Sequence, residues 1–250
     1  MDRSGNPAFK QSIIEKLPAG INTKTMTVAG TYFKTFFLLL IVIAAAGISW
    51  HIMRESFTAS DMRWWPVWIV SLLTFFIGMV ISFNPKFAPA LAIPYAVLQG
   101  STLGVVSGAF AYSFEGIVGQ AVFTTLAVFL AVYIGYALGW LRATPTFARI
   151  IITAMLGILM FSMLSWIFSL FTWSTPAIYG YGTWGIVFGI IVVLVAALSL
   201  ILDFDFIDSA ADQKYPKYFE WYGAYGLMVG LIWLYIEILQ LLARLTAANR

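Results

Sequence analysis

The sequence predicts an all-α membrane protein built as a bundle of seven transmembrane helices. Of its 250 residues, 61% are hydrophobic and 10% are charged, whereas a soluble domain usually has about 45–50% apolar and about 25% charged residues. Seven stretches also reach the roughly 20 apolar residues that a helix needs to cross a bilayer. Only short segments separate them, so we expect one transmembrane domain, residues 31–245, after an arm of residues 1–30.

The seven predicted spans follow one another with turn-forming residues between them. Asn84-Pro85-Lys86 and Thr144-Pro145 are examples of these breaks. Gly100 and Gly104 recur at four-residue spacing inside the third span, which predicts close helix packing within the bundle. The spans are expected at about residues 31–52, 65–83, 88–112, 117–140, 147–171, 180–202 and 219–243.

The distribution of lysine and arginine predicts the orientation of the chain. A cytoplasmic amino terminus leaves few positive residues on the other side, namely Arg54, Arg63, Arg244 and Arg250. The first 30 residues are polar and lack the apolar core of a signal peptide, so we expect a cytoplasmic arm with a short amphipathic helix around Ile13 to Leu17. This pattern predicts a multi-pass protein of the cell inner membrane. Seven spans place the carboxyl terminus outside, whereas a re-entrant segment would return it to the cytoplasm.

The composition excludes several classes of function. No cysteine is present and His51 is the single histidine, so thiolate chemistry, zinc sites with cysteine ligands and histidine-pair haem ligation are excluded. Ser107 would need His51 as its base, and no spacing connects them. The positive residues form no patch that would bind nucleic acid. We therefore expect no enzymatic activity, no cofactor and no nucleic-acid partner.

Asp203 and Glu237 stand out among the acidic residues. Insertion of a carboxylate into a membrane costs a free energy of about 2.5–3.5 kcal/mol on insertion scales, so acids near or inside a span are informative. Asp203 directly follows the apolar run 190–202, which predicts a position at the cytoplasmic boundary of span six. Glu237 stands inside span seven, between apolar residues on both sides. The alternative for Glu237 is a neutral carboxyl bonded to a neighbouring helix, or one that reaches the outer interface.

Three further acids follow Asp203 in the sequence. Asp205, Asp208 and Asp212 have the i, i+3, i+7 spacing of one helical face. That face is either part of the functional site or a solvated surface. The segment Ser209-Ala-Ala-Asp212 also fits a helix start of the capping-box type.

Several motifs resemble a known family. Leu202-Asp-Phe-Asp-Phe-Ile207, Glu220-Trp-Tyr-Gly-Ala-Tyr-Gly226 and Trp233-Leu-Tyr-Ile-Glu-Ile-Leu239 are similar to the end of the bacterial branch of the transmembrane Bax inhibitor motif family. Asn84-Pro-Lys-Phe-Ala-Pro89 and Tyr95-Ala-Val-Leu-Gln-Gly100 resemble its third-span region. The resemblance implies a last helix surrounded by the other six and a pH-sensitive Ca²⁺ leak. It also implies a proton-sharing pair of acids on helices six and seven, and an arginine that latches the closed state.

By motif, Asp203 takes the helix-six position of that pair and Glu237 takes the helix-seven position. The 34 residues that separate them exceed the separation in the wider family, so Asp205 and Asp212 remain alternative partners of Glu237. No arginine lies within span two, and Lys86, just after it, is the nearest candidate for the cationic latch.

Two close carboxyls cannot both ionise cheaply, so the pair is expected to hold one proton between them. Loss of this proton would open the helix six to helix seven contact to Ca²⁺, which prefers oxygen ligands. Ca²⁺, protons and the lipid bilayer are therefore the expected partners. The alternatives are a proton-coupled secondary transporter of a small solute, and a non-conducting regulator that binds another membrane protein.

Overall fold

The computed structural model describes residues 24–58, 65–172, 180 and 182–249. Within these ranges it contains seven long helices and no strand, and each helix is long and apolar enough to cross a membrane. The predicted fold class is thus confirmed. Residues 1–23, with the predicted amphipathic helix, lie outside the described residues. The helices are α1 Val28–Thr58, α2 Trp65–Phe83, α3 Ala88–Ser113, α4 Ile117–Ala137, α5 Pro145–Thr172, α6 Thr183–Asp212 and α7 Phe219–Ala248, with a 3₁₀ turn at Pro85–Phe87.

Helix boundaries follow the turn residues of the sequence. Pro145 begins α5, where its missing N–H costs no hydrogen bond. Gly116 and Gly139 flank α4 with φ of 73° and 74°, a left-handed conformation that glycine adopts without steric cost. The chain can therefore reverse sharply at both ends of α4.

Helix α7 lies at the centre of the bundle, as the family resemblance implied. It packs against α1, α3, α4 and α6, and the Tyr225 hydroxyl donates to the Gly78 carbonyl of α2 at 3.4 Å. Leu227, Met228, Leu234 and Leu239 of α7 are fully buried. Large apolar side chains on the other helices are exposed, as expected of surfaces that face lipid.

Close packing of α3 on α1 depends on glycine. A Cβ atom at Gly104 would lie 2.1 Å from the Ala46 carbonyl oxygen, and one at Gly100 would lie 2.5 Å from that of Val42. The Ser49 hydroxyl also donates to the Ser101 carbonyl at 2.8 Å. The predicted role of this glycine spacing in packing within the bundle is therefore confirmed.

Helices α1, α6 and α7 extend well beyond their predicted ends, and α1 reaches Thr58. Helix α6 continues ten residues past residue 202 to Asp212, because Phe204, Ile207 and Ala210 keep one face buried. Asp203 therefore lies inside the helix, and the Ser209–Asp212 segment forms its last turn instead of a helix start. Helix α7 continues to Ala248, which places Arg244 within the helix and not in a loop.

The segment before α1 pairs with the α6–α7 connection at one end of the bundle, called the proximal end below; the opposite end is the distal end. The Met26 N–H donates to the Tyr215 carbonyl at 2.8 Å, and the Lys217 N–H donates to the Lys24 carbonyl at 2.9 Å. The count of positive residues predicts that the proximal end faces the cytoplasm, and this orientation stays a prediction.

Candidate functional site

Asp203 faces the central helix at a pair of glycines. Its Oδ2 lies 2.9 Å from the position that a Cβ atom would take at Gly230, and its Oδ1 lies 4.0 Å from the equivalent position at Gly226. The absence of a side chain at Gly230 makes room for the carboxyl between α6 and α7, whereas Gly226 lies at ordinary contact distance from it. Among the described residues, no donor or cation forms a hydrogen bond or ion pair with it. Asp203 is thus a half-buried acid packed against helix backbone.

Glu237 lies in a different environment, at a polar cavity near the distal end. The Trp233 Nε1–H donates to Glu237 Oε1 at 3.1 Å. The cavity, about 350 Å³ in volume, lies between α5, α6 and α7. Its polar lining consists of Glu237, Gln240 and Arg244 from α7 and of Ser162, Ser165 and Ser169 from α5.

Arg244 connects α7 to α6 in the same cavity. Its Nη1 donates to the Gly185 carbonyl at 2.8 Å, and its Nη2 lies 3.5 Å from Gln240 Oε1. A Cβ atom at Gly189 would lie 2.7 Å from Nη1, so a larger residue there would displace the guanidinium from its present position. The positive-residue count assigned Arg244 to the outer side. Its spacing of seven residues from Glu237 was the signal that could have placed both on one face of a longer helix.

The structure does not bring Asp203 and Glu237 together. Asp203 packs beside Gly230, and Glu237 follows two turns later, about 10 Å farther along the helix axis. The position on α7 that faces Asp203 is therefore occupied by glycine and not by a second acid. The two carboxyls lie along the same α6–α7 contact at different depths.

The other predicted site residues lie elsewhere. Asp205 lines a proximal cavity of about 510 Å³ together with Asp208 and Arg142, and the Tyr136 hydroxyl donates to Asp208 Oδ2 at 2.8 Å. Asp212, at the end of α6, and Lys86, in the turn before α3, are exposed.

Neither Asp205 nor Asp212 forms a hydrogen bond with Glu237 in the described part of the chain. Lys86 likewise forms no ion pair with any acid in those segments. Arg244, in contrast to Lys86, is buried and joins two helices, which are the properties expected of a latch.

A fully buried acid that the motif spacing did not single out lies at the start of α7. Glu220 is 0% exposed, and its Oε1 accepts from the Thr27 N–H and hydroxyl at 2.8 Å each and from Lys217 Nζ at 2.7 Å. Its Oε2 accepts from Lys34 Nζ. We call these four residues the Glu220 clamp. It ties the segment before α1, and α1 itself, to the central helix.

Within the described ranges, no group of three or more histidine and acidic side chains is placed to hold a metal ion.

Comparison with known proteins agrees with this architecture. A family model described as Bax inhibitor 1 like matches residues 6–247. No curated protein and no solved structure matches the chain. The match covers all seven helices, including Asp203, Glu237 and Arg244. The chain therefore belongs to the Bax inhibitor 1 like family.

Proposed function

We propose that this protein is a pH-sensitive Ca²⁺ leak channel of the inner membrane, and that protonation of Asp203 controls the contact between α6 and α7. The observation that carries the proposal is the placement of the Asp203 carboxyl against Gly226 and Gly230 of the central helix, without a donor or cation beside it in the described residues.

The protonation state of Asp203 changes how well this contact packs. A neutral acid can rest against helix backbone, whereas an isolated buried carboxylate must find water or a cation. A charged acid within a membrane costs about 2.5–3.5 kcal/mol of free energy. This cost would shift the equilibrium between a closed and an open α6–α7 contact by roughly 100-fold. Loss of the proton would thus favour a state in which water and cations enter between the two helices.

Two acids mark a route for a divalent cation along the same contact, and a third lines a cavity between α6 and the end of α4. Glu237 lies in the distal cavity, Asp203 lies deeper in the bundle, and Asp205 lines the proximal cavity. Ca²⁺ takes oxygen ligands in flexible geometry, so carboxylates at successive depths suit its passage. Direct proton sharing between Asp203 and Glu237 is replaced in this proposal by two acids that act at different points of one route.

Arg244 is the residue that we assign as the latch of the closed state. Its bond to the Gly185 carbonyl holds the distal ends of α6 and α7 together. A guanidinium that lines the cavity also repels cations while it stays in this position. Opening of the α6–α7 contact would release the bond and move the positive charge.

The test is Ca²⁺ flux into liposomes across a series of pH values. We expect the native flux to rise as pH rises, and Asp203→Asn, which keeps the side chain neutral, to remain at the low-pH level throughout. Glu237→Gln should lower the flux at every pH. Asp212→Asn is the matched control, since it removes the same charge from an exposed position on α6. Unchanged flux and pH dependence in both Asp203→Asn and Glu237→Gln would refute the proposal.

The distal cavity favours a second candidate function, proton-coupled transport of a small solute. It combines a carboxylate, a guanidinium, an amide and several hydroxyls within the membrane, a lining that suits a solute with both charges. Solute uptake that collapses with the proton gradient, while Ca²⁺ flux stays flat, would support this reading. If neither flux occurs and a membrane protein co-purifies in stoichiometric amount, the chain is a non-conducting regulator.

A further inference from the structure

Two opposite charges share the distal cavity without meeting each other. Glu237 and Arg244 both line this cavity, yet they form neither an ion pair nor a hydrogen bond with each other. They are seven residues apart on α7, which offsets their backbones by about 10 Å along the helix axis. The space between them therefore separates an anion from a cation inside the bundle.

Arg244 is a buried cation whose hydrogen-bond donors are only partly used. The residue is 5% exposed, and a guanidinium has five N–H donors. Its partners within the described ranges are the Gly185 carbonyl at 2.8 Å and Gln240 Oε1 at 3.5 Å, and neither is charged. No carboxylate of those ranges pairs with it. An anion in the cavity would thus gain a charge-assisted contact with the remaining N–H groups.

Glu237 lacks a cation in the same way. In the described part of the chain its carboxylate has the Trp233 Nε1–H as a donor, at 3.1 Å from Oε1, and no lysine or arginine pairs with it. Both charged side chains reach back by one turn, because Trp233 and Gln240 precede Glu237 and Arg244 by four residues each. The charged ends therefore keep the offset of about 10 Å that separates their backbones.

The cavity has room for a small molecule between the two charges. Its volume is about 350 Å³, compared with about 30 Å³ for one water molecule in the liquid. A ligand of about six or seven heavy atoms therefore fits, with water beside it. If this ligand bonds to both charges at about 2.8 Å, its own charges must lie roughly 4–5 Å apart.

This spacing favours one class of ligand. A simple carboxylate would pair with Arg244 but would place a second anion beside Glu237, and a simple amine would place a second cation beside Arg244. An α-amino acid carries both charges on the same carbon, which holds them too close to reach both partners. A β- or γ-amino acid separates its ammonium and carboxylate groups by a longer chain and spans the required distance.

We propose that the distal cavity binds a small β- or γ-amino acid, with its carboxylate on Arg244 and its ammonium group on Glu237. The proposal deepens the second candidate function, on which it rests for any role in transport, because it names the class of solute. Arg244 keeps its bond to the Gly185 carbonyl, since the ligand uses the other N–H donors. Binding therefore does not require the α6–α7 contact to open.

Three variants separate this site from the rest of the molecule. Glu237→Gln keeps the shape of the side chain and removes its charge. Arg244→Met removes the guanidinium and keeps an unbranched, flexible side chain. Glu115→Gln is the matched control, because it removes the same charge from an exposed position between α3 and α4, at the same end of the bundle.

The experiment is isothermal titration calorimetry of the full chain in detergent, in phosphate buffer at neutral pH, with β-alanine and γ-aminobutyrate as probes. We expect saturable binding of at least one probe to the native protein, and at least tenfold weaker binding of glycine, acetate and propylamine. Glu237→Gln and Arg244→Met should each weaken binding of the probe at least tenfold. Glu115→Gln should bind it as the native protein does.

Absence of saturable binding of both probes to the native protein would overturn the proposal, and this result requires no variant to fold. Glycine or acetate that binds as tightly as the better probe would overturn it too, as would native affinity in folded Glu237→Gln. The titration measures binding without flux, so its outcome is separate from that of the transport and Ca²⁺ assays. Binding without any uptake of the probe would support this site and refute the second candidate function.

Discussion

Replacement of Glu220 by alanine should destabilise the bundle more than any other single change at its proximal end. The carboxylate is fully buried and accepts hydrogen bonds from the Thr27 N–H, the Thr27 hydroxyl and Lys217, and it pairs with Lys34. Its removal leaves a nearly buried ammonium group and a backbone N–H without their partner. The segment before α1 would also lose its attachment to α7.

The magnitude follows from how deeply each lysine is buried. The Lys34 side chain is 18% exposed, and removal of one partner of a buried pair costs about 3–5 kcal/mol. The Lys217 side chain is 47% exposed, so solvent screens it and Lys217→Ala should cost at most about 1 kcal/mol. At about 2–4 °C per kcal/mol for a chain of this size, Glu220→Ala should lower the melting temperature by roughly 6–20 °C.

Thermal unfolding in a single detergent, followed by circular dichroism, measures these differences. Lys217→Ala is the control, and the double variant Lys34→Ala/Glu220→Ala should lose less stability than the two single variants predict together, because their charges are coupled. A melting temperature of Glu220→Ala equal to that of Lys217→Ala would refute this account of the clamp.

Three further changes test other contacts. Gly104→Ala drives a Cβ atom into the α1 backbone and should lower the free energy of unfolding by about 1–3 kcal/mol, measured by thermal unfolding. The Cβ atom of Gly47→Ala meets no atom, so this variant should be neutral or gain up to about 1 kcal/mol of stability. Equal effects of the two variants would contradict the packing argument. Tyr136→Phe removes the hydrogen bond to an aspartate of α6 and should cost about 0.5–1.5 kcal/mol by the same measurement, so a native melting temperature would show the bond to be unimportant. Arg244→Met loses the bond to Gly185 and should raise Ca²⁺ flux at acidic pH in liposomes; a flux no higher than that of the native protein would exclude a latch.

Hydropathy and the family motifs were sufficient to predict the seven helices and the central position of the last one. The number of helices depends on composition over some 20 residues, because a bilayer requires each span to be apolar and to satisfy its own backbone hydrogen bonds. The central position of the last helix was implied by the family resemblance alone. The position of Glu237 inside the last helix was equally predictable, since apolar residues surround it in the sequence. Helix ends were less predictable: Phe204 and Ile207 extend α6 by packing that involves other helices.

The sequence by itself determined the fold class, the family and the acids that a membrane must accommodate. Only the tertiary structure decided what each of them faces, because the rotation and axial offset of neighbouring helices depend on packing between distant segments. Gly230 occupies the level of Asp203, so the acid faces backbone while Glu237 lies two turns away. The contact of Glu220 with Thr27 joins residues 193 positions apart, and no local pattern predicts such a pair.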